Sequence, residues 1–174
     1  MPATGPTSTT ALILVDLQNW IVGMSWAPRT GADVVTACLR LRTDFAAAGA
    51  PVVHVRYLRE DGQDGGADAP ENQFVPSLVP APGEHLVTKH GLDAFQGTDL
   101  AARLTALGVT SVLVVGLSTA HGVASTAASA LASEFPVLVA SDATASVTAH
   151  EHSAALDQLR RAGATVTAVA QILA

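Results

Sequence analysis

Apolar and polar positions along the chain follow two periods in alternation. Ala11 to Val15 is an unbroken apolar run that stops at Asp16, the pattern of a parallel strand buried on both faces. Val34, Cys38, Leu41, Phe45 and Ala48 then recur at spacings of three and four, which predicts an amphipathic helix closed by Gly49. Further strands are predicted at Pro51–Tyr57, His85–Lys89, Ser111–Val115, Val137–Ala140 and Thr165–Val169. Helices are predicted at Thr98–Leu107, with Leu100, Leu104 and Leu107 on one side, at 119–133 and at Thr148–Arg161. Residues 58–83 hold most of the Gly, Pro and Asp and show no period. A loop of that length is functional or disordered more often than not.

This alternation predicts a three-layer α/β/α fold, doubly wound around a mainly parallel six-stranded sheet. Residues 1–10, rich in Pro, Thr and Ser, read as a flexible tail, and 11–174 as one domain. The 174 residues suit a single core, and 49% hydrophobic against 4% aromatic content makes that core one of Ala, Val and Leu. A net charge of -6 argues against nucleic acid or an anionic membrane as partner. No run of about 18 apolar residues marks a membrane span. No leader is read at the start, and the single cysteine, Cys38, excludes an internal disulfide and fits a reducing cytoplasm.

In doubly wound sheets ligands bind at the carboxyl ends of the strands. Asp16, Tyr57, Lys89 and the turn from Gly116 to Gly122 all fall at such ends, so they can converge on one site. A carboxylate ending a buried strand loses water, and its pKa should rise. A lysine ending another strand can oppose it. Backbone N–H groups at a strand-to-helix turn can hold an anion. Each signal is common by itself, and solvated lysines and capping acids are the ordinary case.

Together they are specific. Asp16-Leu17-Gln18-Asn19 follows the first strand, and Lys89 opens Lys-His-Gly-Leu-Asp-Ala-Phe-Gln-Gly-Thr-Asp-Leu. Gly116-Leu117-Ser118-Thr119-Ala120-His121-Gly122-Val123-Ala124-Ser125-Thr126-Ala127 forms the turn, and Ser141-Asp142-Ala143 follows strand five. From about Ala11 to Val169 the chain resembles the isochorismatase-like hydrolases, a superfamily dominated by cysteine-nucleophile amidases. The resemblance implies that Asp16 is the acid/base and Lys89 the catalytic lysine. It places Gly122 where the nucleophilic cysteine belongs. It also implies a cis Leu117–Ser118 bond that aims the Ser118 and Gly122 N–H groups into the pocket. Gln18, Trp20, Tyr57, Phe95, Leu117, Ser118, Thr119 and His121 become candidate substrate contacts.

A glycine forms no acyl-enzyme, so the family's covalent route is closed unless another nucleophile substitutes. Ser118, Thr119 and Ser125 are hydroxyl candidates without an evident base in the sequence. Isochorismatases of this superfamily also carry glycine there and cleave an enol ether by acid catalysis. The reading is therefore acid–base hydrolysis by Asp16 and Lys89 on a small carboxylated metabolite, with Lys89 holding a carboxylate or the departing oxygen. The alternatives are a non-catalytic binding homologue and a cysteine amidase whose nucleophile has been replaced. No cofactor is implied. Nicotinamidases of the superfamily hold zinc with an aspartate and two histidines after strand two. Here that region has Asp61, Asp64 and Asp68 and no histidine, so no metal is expected. The resemblance also implies a homodimer or homotetramer.

Overall fold

The computed structural model describes residues 5–174. Its centre is a six-stranded, all-parallel sheet in the order β3-β2-β1-β4-β5-β6. The strands are β1 (Thr10–Val15), β2 (Val52–Tyr57), β3 (His85–Lys89), β4 (Ser111–Leu117), β5 (Val137–Ala145) and β6 (Thr165–Thr167). The helices are α1 (Asn19–Val22), α2 (Gly31–Ala47), α3 (Leu100–Ala106), α4 (Ala124–Ala132), α5 (Ala149–Ala162) and α6 (Val169–Ile172).

The unbroken apolar run of β1 serves both faces. Ala11, Ile13 and Val15 join the core layer that holds Leu100, Leu104, Ala127, Ala130, Leu156 and Leu159 from α3, α4 and α5. Leu12 and Leu14 join the opposite layer, with Val34, Cys38, Leu41 and Phe45 from α2 and Val169 and Ile172 from α6. Thr30 caps α2 in a reciprocal capping box with Asp33, and Gly49 follows with φ 67°. Ala48, placed on the buried stripe by its spacing, is instead the exposed C-cap. Among the described residues no helix is long and apolar enough to cross a membrane.

Several boundaries differ from the pattern. Thr10 does not belong to a tail: it is 4% exposed, opens β1, and shares a 2.9 Å hydrogen bond with Ser111 of β4. Residues 1–4 of the expected tail lie outside the described residues. Strand β5 runs on through Ser141-Asp142-Ala143, across a register shift against β4 between Val114 and Gly116. Asp142 accepts a 2.8 Å bond from the Val169 N–H, and helix α6 begins where strand six was expected to continue. The 119–133 helix is two pieces, a π-helical turn at Thr119–Val123 and then α4.

The 58–83 loop is ordered by its own contacts. It carries 3-10 turns at Pro70–Asn72 and Pro76–Leu78, and Phe74 pairs with Gln18 in an antiparallel bridge. Buried Asn72 donates to the carbonyls of Asp64 and Gly66, which closes the acidic segment on itself. Arg42 of α2 ties the far end through the Ser77 and Val79 carbonyls and Glu84.

Candidate active site

Three strand ends build the centre. Asp16 leaves β1 with φ 56°, a left-handed turn that a non-glycine residue seldom takes, and its N–H donates to the Val55 carbonyl. Lys89 ends β3, in register with Tyr57 of β2. Its side chain crosses that strand, with the ammonium 5.8 Å from the Tyr57 ring centroid, and reaches the Asp16 Oδ2 at 2.9 Å. The pair is deeply buried, Asp16 at 7% and Lys89 at 2% exposed.

The two charges are not equally satisfied. Lys89 Nζ donates to Asp16, to the Gly91 carbonyl (3.1 Å) and to the Leu92 carbonyl (2.9 Å). An ammonium has three N–H groups, so all three are engaged. Asp16 Oδ1 is buried and has no hydrogen-bond partner among the described residues. Burial pushes the Asp16 carboxyl up to about 6, against the opposing pull of Lys89.

Gly122 closes the third side. A Cβ there would lie 3.0 Å from Val15 Cγ1, 3.3 Å from Lys89 Nζ and 3.4 Å from Asp16 Oδ2. The face of residue 122 is therefore aimed at the ion pair. Gly116 is needed for a different reason. With φ 116°, it lets β4 lie so close to β1 that a Cβ would run into the Val15 backbone. The Leu117–Ser118 peptide bond is cis.

Around this centre lies a cleft of about 220 Å³, lined by Trp20, Ile21, Met24, Trp26, Tyr57 and Leu92 as well as by the pair and the turn. Leu117, Ser118 and His121 complete the turn side, with Ser118 Oγ 2.9 Å from His121 Nδ1. Of the residues proposed from sequence, Asp16, Trp20, Tyr57, Lys89, Leu117, Ser118, His121 and Gly122 meet in one place.

Three do not. Gln18 is fully buried, and its amide is consumed by backbone: Nε2 donates to the Tyr57 and Asn72 carbonyls and Oε1 accepts from the Tyr57 N–H. It positions Tyr57 and contacts no ligand space. Thr119 is turned the other way, its hydroxyl 2.8 Å from His152 Nδ1 of α5, because the π-helical turn rotates it under the sheet end. Phe95 packs on the core layer of α3 to α5 and does not line the cleft. The role of Lys89 as holder of a substrate carboxylate also needs correction, since no N–H is left for it.

The sequence reading missed Ile21, Met24, Trp26 and Leu92. The first three surround the one-turn helix α1, too short to give a periodic signal. Cys38 is not near the cleft. It is fully buried under α2, its thiol pushed up by burial and 3.7 Å from the Ala143 carbonyl. Among the described residues no group of three His, Cys, Asp or Glu side chains could hold a metal ion. Asp61 is paired with Arg59, and Asp64 accepts from the N–H groups of Arg59 and Gly66.

The fold agrees with the relatives of the chain. It is 32% identical to the isochorismatase family protein YecD of Escherichia coli O157:H7 over 95% of both proteins. A streptothricin hydrolase of Streptomyces noursei is 38% identical over 78% of this chain, which spans about half (54%) of that longer protein. An isochorismatase family protein from Burkholderia thailandensis superposes with a TM-score of 0.87 at 33% identity, covering 96% of both chains. N-carbamoylsarcosine amidase from Thermoplasma acidophilum superposes with a TM-score of 0.78 at 26% identity, over 92% of this chain and 96% of that one. The isochorismatase domain model matches residues 10–171, so the strands, the Asp16–Lys89 pair and the turn at Gly122 lie within one homologous unit, and the chain belongs to the isochorismatase family.

Proposed function

We propose that the protein is a hydrolase that works without a cysteine nucleophile, with Asp16 as general acid and water as the attacking group. The observation that carries this reading is the asymmetry of the buried pair. Lys89 is saturated, while Asp16 keeps one oxygen without a protein partner and a carboxyl pushed up to about 6. A carboxylic acid of that kind retains a proton close to neutral pH and can deliver it to a bound substrate. Gly122 gives the reacting group room directly against that acid, where a side chain would otherwise intrude.

Lys89 then acts through Asp16. It fixes Oδ2 by a charged hydrogen bond and stabilises the carboxylate left after proton transfer. The protonated substrate is attacked by water, so no covalent enzyme adduct forms. Acid-catalysed cleavage of an enol ether such as isochorismate fits these requirements, because proton delivery to the vinyl carbon is its first step. The walls of Trp20, Met24, Trp26 and Leu92 suit a small substrate with an apolar face.

The test is turnover of isochorismate, read as pyruvate release, by the wild type and by Asp16→Asn. Release by the wild type and its loss in the variant supports the reading. Equal release by both proteins overturns the role of Asp16. Calorimetric binding with no product over long incubation favours a binding protein instead.

A further inference from the structure

We propose that His121, fixed by Ser118, is the base that takes the proton from the attacking water. This deepens the acid–base reading above and rests on it for the role of Asp16. The reaction needs two proton carriers, one to give a proton to the substrate and one to receive the proton that water loses on attack. Asp16 is built for the first task only. Lys89 donates its three N–H groups to Asp16 and to the Gly91 and Leu92 carbonyls, so it offers the water no acceptor. The Trp26 indole N–H is engaged by the Ile21 carbonyl. Among the side chains lining the cleft His121 is the single imidazole, the kind of group best suited to take up a proton near neutral pH.

The geometry supports the assignment. Ser118 Oγ and His121 Nδ1 stand 2.9 Å apart across the π-helical turn, and among the described residues neither atom has another hydrogen bond. With Nδ1–H donating to Ser118, Nε2 keeps its lone pair, and the serine hydroxyl still has its own proton to donate. His121 is exposed at the rim whereas Gly122, its neighbour, is buried against the acid. The base therefore meets solvent and the acid does not. Water enters from the His121 side, its O–H breaks with the proton going to Nε2, and its oxygen bonds to the carbon activated by Asp16. The hemiketal then collapses: its C–O bond to the departing group breaks, that oxygen takes the imidazolium proton, and the hemiketal hydroxyl gives its proton to the Asp16 carboxylate, so both residues end as they began. The Ser118 hydroxyl acts on the reaction through its hydrogen bond to His121, which makes Ser118 a positioning residue.

An activated ester separates this role from that of Asp16, because p-nitrophenolate leaves without an acid. With p-nitrophenyl acetate as the probe, the wild type should release p-nitrophenolate at least about tenfold faster than His121→Gln. His90→Gln, a control at an exposed position, should retain the full rate. His121→Ala should recover with added imidazole, and Ser118→Ala should lower kcat with little change in KM. Equal rates for wild type and His121→Gln overturn the proposal. An initial burst with an acetyl group on Ser118, found by mass spectrometry, also overturns it and makes the serine a nucleophile. If the ester assay succeeds and no pyruvate comes from isochorismate, the base assignment stands and the enol-ether reading falls.

Discussion

Two carboxylates in this molecule each pair with a cation and face opposite fates. The Asp16 side chain is 9% exposed and that of Glu84 10%, and each lies 2.8–2.9 Å from a cation. Glu84 accepts two bonds from Arg42, one from the Ala81 N–H and one shared with His54 Nε2. Its carboxyl is held down at about 2, because these bonds outweigh the cost of burial. Asp16 has Lys89 and an oxygen without a protein partner, and burial holds its carboxyl up at about 6. Charge pairing alone does not decide the state of a buried acid. Its depth of burial and the number of donors it can collect do. Glu84 joins α2, β2 and the 76–84 segment and serves the fold, while Asp16 is left poised for a proton.

Removing each acid should break different properties. Asp16→Asn should lower turnover by roughly 10²–10⁴-fold, the range of a general acid, with the fold intact by circular dichroism. Glu84→Ala should leave the cleft unchanged and destabilise the protein by about 3–5 kcal/mol, measured by urea unfolding at pH 7, since Arg42 and His54 lose their shared partner.

The pH dependence of stability should carry both signs. Glu84 has a folded pKa below its ordinary value of 4.5, so its stabilisation is present above that value and is lost as pH falls toward about 2. Asp16 has a folded pKa above its ordinary 3.8, so it favours the folded state at low pH. That advantage is lost as pH rises from 3.8 through about 6. The Asp16 change is on the order of 3 kcal/mol. Unfolding free energies across pH 4–7 should therefore show a decline in the wild type that Asp16→Asn removes and Glu84→Ala does not. The same protonation makes kcat/KM fall about tenfold per pH unit above about 6. The smallest effect belongs to Gly122→Ala. Its methyl would sit 3.0 Å from Val15 Cγ1 and beside both members of the Asp16 pair, at a cost of about 1 kcal/mol by thermal unfolding, with no effect on the Glu84 network.

Asp16, Lys89 and Gly122 were legible in the sequence because each ends or follows an apolar strand, and strand ends of a parallel sheet share one edge. Glu84 gave no such signal. It lies in a stretch without period, and its partners come from residues 42, 54 and 81, which only the closed sheet brings together. Gln18 and Thr119 show the limit from the other side. Both stand close in the chain to residues that line the cleft, and both spend their polar groups on the scaffold. Sequence neighbours of a site share its location but not its direction. The left-handed backbone of Asp16 and the π-helical turn after Ser118 set that direction.

By itself, the sequence determined the layered parallel fold, because runs of apolar residues of strand length between amphipathic helices can be buried in few other ways. It also determined that position 122 carries no side chain and so offers no nucleophile of its own. The tertiary structure alone decided the state of the groups around it. Donor counts around Lys89 and Asp16, the pairing of Ser118 with His121 and the inward turn of Trp26 depend on distances between residues far apart in sequence or rotated by a single turn. Such distances are set by packing, and packing has no one-dimensional trace.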